Sequence, residues 1–161
     1  MSSRAGGEIL ARMIDVIAVG TDGSATADRA VDAAIEMAER FEAELVVLSA
    51  YDARPSGLAA AALAAAWMPP SPLEVEWSSH AAERVDEILA RATHRAQERG
   101  LECRSAASEG EPGHVLVELA ETHNADVLVI GNRGMERRVL GSVPNTVTHR
   151  ANCSVLVVKT S

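Results

Sequence analysis

Short, almost continuous apolar runs alternate along this chain with longer stretches of helical period, and that alternation constrains its fold more than any other feature. Asp15-Val16-Ile17-Ala18-Val19-Gly20, Glu44-Leu45-Val46-Val47-Leu48-Ser49-Ala50, Asp126-Val127-Leu128-Val129-Ile130 and Ser154-Val155-Leu156-Val157-Val158 have no polar-out alternation. Such strands are buried on both faces, as in parallel sheets covered by helices. Between the first two runs, Ser24 is a good N-cap, and Ala27, Ala30, Val31, Ala34, Ala38 and Phe41 recur at helical spacing, which predicts an amphipathic helix. A further helix is expected from near Ser79, with Ala82, Val85, Leu89, Ala92 and Ala96 on one face and Gly100 as its stop. Glu102–Ala107 reads as a strand, and Glu111-Pro112-Gly113 opens a helix running to about His123. A short helix from Ser142 to about Arg150 precedes the last strand. Residues 55–77 break the rhythm. An Ala-rich segment, Leu58 to Trp67, precedes Met68-Pro69-Pro70-Ser71-Pro72, which predicts a short helix or flap followed by an irregular connection.

Strand-helix alternation of this kind implies a mostly parallel sheet with helices on both faces. Right-handed crossovers then place ligands at the carboxyl ends of the strands, where the winding reverses. Three segments fall at such ends: Gly20-Thr21-Asp22-Gly23-Ser24, Ala50-Tyr51-Asp52, and Gly131 to Ser142. The last of these holds Gly131-Asn132-Arg133-Gly134, six residues (Met135–Leu140), then Gly141-Ser142. Glycines leaving a strand allow a tight turn and close backbone approach, and Gly141-Ser142 at a helix mouth can present N–H groups to a phosphate. Arg133, Arg137 and Arg138 either clamp phosphate oxygens or are solvated surface arginines. Asp22 has two readings of equal weight, a carboxylate that accepts bonds from a ribose or an adenine amino group, or an N-terminal cap for the Ser24 helix.

Several function classes are disfavoured by composition. At 161 residues and 47% hydrophobic, the chain suits one domain with a real core. A net charge of -8 argues against a global basic field for nucleic acid or anionic lipid. No run approaches the ~20 apolar residues of a membrane span, and the N-terminal residues do not read as a signal peptide, so the expected location is the cytoplasm. Cys103 and Cys153 lack CxxC spacing and read as two small buried apolar residues. His80, His94, His114, His123 and His149 are scattered without ligand spacing. There is no GxxxxGK[ST] loop, GxGxxG turn after a strand, GxSxG elbow or HExxH, so the chain reads as a binding module and not an enzyme, with at most slow incidental turnover.

Val19-Gly20-Thr21-Asp22-Gly23-Ser24, Val129-Ile130-Gly131-Asn132-Arg133-Gly134, Leu140-Gly141-Ser142-Val143-Pro144 and the closing Cys153-Ser154-Val155-Leu156-Val157-Val158-Lys159 together resemble the universal stress protein family, over about Met13 to Lys159. The resemblance implies a Rossmann-like three-layer α/β sandwich whose five-stranded parallel sheet has the order 3-2-1-4-5, and a homodimer joined through Val155–Val158. An exposed apolar edge there would pair with its twin, unless the helix of residues 142–150 covers it and Lys159 protects its edge. It also implies an adenine nucleotide, ATP with or without magnesium, as ligand of a stress-response or signalling module. By position, Asp22 and the backbone of Ala50 fall at the adenine–ribose end. Gly131 and Gly134 shape the loop beneath ribose and phosphates, and Gly141, Ser142 and Val143 fall at the phosphates. The family's nucleotide-binding pattern spaces its second and third glycines by nine residues, against six here. The alternative is therefore a nucleotide-free dimeric interaction module of the same fold.

Overall fold

A computed structural model of the chain describes residues 14–52, 72–132 and 140–159, with side chains of its longest helix from residue 80 onward. Nine elements follow in order: β1 (Val16–Gly20), α1 (Ala25–Phe41), β2 (Glu44–Tyr51), α2 (Pro72–Glu98), β3 (Cys103–Glu109), α3 (Pro112–Thr122), β4 (Val127–Asn132), α4 (Ser142–Arg150) and β5 (Ser154–Lys159). All strand pairs are parallel, in the order β3-β2-β1-β4-β5. The expected sheet order is the observed one.

The apolar runs form two cores, one on each face of the sheet, because successive side chains of a strand point to opposite sides. Ile17, Val19, Leu45, Val47, Val127 and Val129 pack beneath α1 and α2, against Ala30, Val31, Ala34, Ile35, Val85, Leu89, Ala92 and Ala96. Ala18, Val46, Leu48, Leu128 and Ile130 face the other way, against Leu116, Val117 and Ala120 of α3 and Val147 of α4. The continuous hydrophobicity of the central strands thus reflects cover by helices on both of their faces, whereas the edge strands β3 and β5 are part-exposed. Ion pairs tie α1 to α2 at the rim: Arg95 bonds Asp28 at 3.2 Å and also pairs with Asp32, and Arg99 grips Glu39 through two bonds of 2.8 and 2.6 Å. Both pairs are substantially solvated, and such pairs contribute little.

Several element boundaries, and the burial of Phe41, differ from the sequence reading. The helix expected from Ser79 starts at Pro72; proline read as a breaker is suited to a first helical turn, where its fixed φ fits and its missing N–H is not needed. The third strand runs on to Glu109, its outer end held by seven consecutive pairings with β2. β4 likewise continues through Gly131 and Asn132, opposite Val158 and Lys159, so Gly131 is a strand residue and not a turn. Phe41, assigned to the buried face of α1, is 38% exposed because the helix ends there and the chain leaves through a left-handed Glu42. The Ala-rich 58–67 segment and Trp67 lie outside the described residues.

Candidate functional site

In a parallel sheet ordered 3-2-1-4-5, β1 and β4 are neighbours whose crossovers depart to opposite faces, so their carboxyl ends part and leave a crevice. A cavity of about 390 Å³ lies there, within the roughly 300–1,000 Å³ of small-molecule sites. The three segments picked out by sequence converge on it. Its lining includes Asp22, Ala50, Gly131, Gly141, Ser142 and Val143, six of the seven residues singled out. The seventh, Gly134, lies outside the described residues, as do Arg133, Arg137 and Arg138.

The turn after β1 is held firmly in place. The Thr21 N–H donates to the Leu48 carbonyl at 2.9 Å, and the buried Ser49 hydroxyl returns a bond to the Thr21 carbonyl at 2.8 Å, fastening the turn to β2. Within it the Gly23 N–H donates to Thr21 Oγ1 and the Ser24 N–H to Asp22 Oδ1 at 2.9 Å. Gly23 has φ +75°, and a Cβ there would meet Ile88 of α2 at 2.8 Å, so conformation and space both favour glycine. Ser24 caps α1 by accepting from Ala27 N–H. Asp22 is therefore not the cap, and its exposed carboxylate orders the turn while lining the cavity.

Gly131 serves a purpose other than turning. It sits in β4, and a Cβ on it would stand 3.1 Å from the Thr26 backbone oxygen; the missing side chain lets the first turn of α1 lie against the strand end. Across the cavity, α4 begins at Gly141, which has no side-chain cap. The Gly141 N–H donates instead to Asn132 Oδ1 at 3.3 Å. Of the N–H groups expected to be open at Gly141-Ser142, Gly141's is thus engaged. Those of Ser142 and Val143 begin the helix without a capping side chain, at the positive end of its dipole. A phosphate-sized anion suits that place.

The lower wall belongs to Pro112 and Leu116 of α3 and the upper to Thr26 and Ala27 of α1. Sequence reasoning missed these four, because each reads as an ordinary helix residue until the fold brings α1 and α3 to the same crevice from opposite faces. Among the described residues, Asp22 is the one carboxylate in the lining, and no group of three His, Cys, Asp or Glu suited to a metal occurs. Cys103 and Cys153 are half-buried rather than fully buried, and desolvation pushes both thiols above their ordinary pKa. No helix among the described residues is long and apolar enough to cross a membrane.

Comparison with known proteins agrees with this architecture. The chain is 36% identical over 148 residues to universal stress protein Rv1636 of Mycobacterium tuberculosis, covering 90% of this chain and 96% of that protein. To universal stress protein MJ0531 of Methanocaldococcus jannaschii it is 35% identical over 150 residues, 89% of this chain and 81% of the other. A universal stress protein solved in complex with cAMP superposes with a TM-score of 0.64 at 34% identity, covering 92% of this chain and 98% of that one. The model of the universal stress protein family matches residues 13–159. With fold order, crevice and sequence in accord, the chain belongs to the universal stress protein family.

Proposed function

We propose that the crevice binds an adenine nucleotide and that the protein acts as a stress-response or signalling module whose shape or partner affinity depends on that ligand. One observation carries the reading: a cavity at the β1/β4 switch point joins the Asp22 turn to the uncapped start of α4. Adenine and ribose fit between Asp22, Ala50 and the wall of α1, with the phosphates toward Gly141, Ser142 and Val143. Gly134 belongs to the same proposal by its place in the glycine pattern. The relative solved with cAMP supports an adenine ligand of this class. ATP is the nucleotide that the family resemblance implies; magnesium with it would be held chiefly by the phosphates and water, the usual mode for that ion. Binding without turnover, a cytoplasmic location and a homodimer through Val155–Val158 complete the proposal. The half-buried edge strand β5, with Leu156 38% exposed, supports the dimer, and a sedimentation run giving a monomer at micromolar concentration would remove it.

The competing reading is a pocket closed by the shortened Met135–Leu140 connection; the cavity among the described residues supports binding. The test is to denature freshly purified protein, identify released small molecules by mass spectrometry, and titrate the emptied protein with ATP and magnesium, AMP and cAMP. The Gly141→Glu variant serves as control. A Cβ at Gly141 meets nothing nearer than 3.7 Å and its φ is -62°, so the fold tolerates the side chain while its carboxylate occupies the anion position. Affinity for every adenine nucleotide is expected to fall at least tenfold, about 1.4 kcal/mol. Unchanged affinity in this variant places the phosphates elsewhere.

A further inference from the structure

Asn132, like Ser49, is a polar side chain near the crevice that is only 1% exposed, yet it does not line the cavity. It is the last residue of β4. The strand's alternation turns it, like Leu128 and Ile130, toward the face covered by α3 and α4. Burying an amide is costly unless it is bonded. Its Oδ1 accepts the Gly141 N–H, nine residues along the chain, and so closes the connection between strand and helix.

The capping of the helices gives this bond its meaning. α1 and α3 are each capped by the side chain of their own N-cap residue, Ser24 on Ala27 N–H and Glu111 on His114 N–H. α4 has glycine at that position, and its start is held from behind by a side chain on the neighbouring strand. Gly141 also gives its carbonyl to Asn145 N–H at 3.0 Å, so the residue is fixed at both ends, to the strand and to the helix. A capping hydroxyl or carboxylate at residue 141 would take the N–H groups of the first turn and stand where an anion approaches.

We propose that Asn132 is a positioning residue, an external strut that replaces a side-chain cap and so keeps the N–H groups of Ser142 and Val143 open and aimed at a phosphate. The inference rests on the nucleotide reading of the crevice and adds to it the means by which its phosphate end is set. A nucleoside lacking phosphate gains nothing from the strut.

Calorimetric titration of the full-length protein with adenosine and with AMP separates this role from general support of the fold. Two variants are compared with wild type: Asn132→Ala, and Asn132→Leu, which keeps the branched shape and removes the acceptor of the bond. Expected in both is a roughly tenfold loss of AMP affinity with adenosine affinity within about twofold, so that the ratio between the ligands collapses. An unchanged ratio in a folded variant overturns the proposal. Amide exchange on the wild-type protein needs no variant to fold. Gly141 is expected to be protected with or without AMP, and Ser142 and Val143 to become protected only on adding it. A freely exchanging Gly141 overturns the strut. If wild-type protein binds neither adenosine nor AMP, the nucleotide reading itself falls, and the strut falls with it for want of an anion.

Discussion

Replacing Gly113 by alanine tests whether the packing of α3 on α4 governs the crevice. Gly113 lies in the first turn of α3, and a Cβ there would stand 2.7 Å from Thr146 Cβ and 2.8 Å from its Cγ2 on α4. Carbon atoms rest at about 3.5 Å or more, so the helices would have to separate by roughly 0.8 Å. Thr146 Cβ is fixed to the backbone, which leaves no rotamer to relieve the clash. Overpacking of this kind costs about 1–3 kcal/mol, against a gain of up to about 1 kcal/mol from replacing glycine in a helix. A clash with a Cβ that cannot move without its helix falls in the upper part of that range, and the resulting net loss of about 1–2 kcal/mol lowers the midpoint of thermal unfolding by roughly 2–8 °C for a chain of this size. Because Pro112 and Leu116 on α3 and Val143 and Pro144 on α4 all line the cavity, the same displacement should move the start of α4 and weaken the proposed binding of AMP. Thermal unfolding and calorimetry read the two effects. Adding Thr146→Gly removes the opposing Cβ and should recover about 1 kcal/mol beyond additivity in a double-mutant cycle. An unchanged or raised melting temperature in Gly113→Ala, or strict additivity in the cycle, would sink the reasoning.

Two further outcomes follow from local contacts. Asp126 Oδ2 accepts the backbone N–H groups of Asp15 at 2.8 Å and Val16 at 3.0 Å, securing the entry to β1; Asp126→Ala should cost about 2 kcal/mol in urea unfolding, with Asp126→Asn recovering part of it, and equal losses in both would refute the bonding role. Burial raises the Cys103 and Cys153 thiols, so the folded chain holds these protons more tightly than the unfolded one. That contribution to stability is present below the ordinary thiol pKa and is lost as pH rises through the raised values. Alkylation by iodoacetamide at pH 8.5 should be slower in native protein than in urea, and equal rates would show that the thiols are not shielded.

Most of the fold was legible because local and tertiary demands coincide. Ser24 caps α1 in sequence and in space, Gly100 ends the α2 region in a left-handed turn, and the apolar runs become central strands because helices cover both their faces. The misreadings arise where one residue type answers two requirements. Pro72 breaks a helix from within but begins one from its first turn, and only the length of helix after it decides. Gly131 looks like turn punctuation, whereas its lack of a side chain is used by a backbone carbonyl from residue 26, a contact no local pattern encodes. Asn132 gave no signal at all, since its partner lies nine residues on. Among the residues lining the cavity, Asp22, Gly131 and Gly141 stood out in the sequence, while Thr26, Pro112 and Leu116 were hidden in ordinary helical sequence.

The two cores lie on opposite sides of a sheet, and the crevice takes one wall from each helical layer. A molecule seated there touches α1 above and α3 and α4 below, and so acts as a removable cross-link between layers otherwise joined through the strands. Its effect should extend beyond occupancy: at a ligand concentration a hundredfold above the dissociation constant it adds about 2.7 kcal/mol to the unfolding free energy. The strand ends and the first turns of α1 and α4, which border the crevice, would then open only with the whole domain. The folded lifetime of the protein becomes a gauge of how much ligand surrounds it.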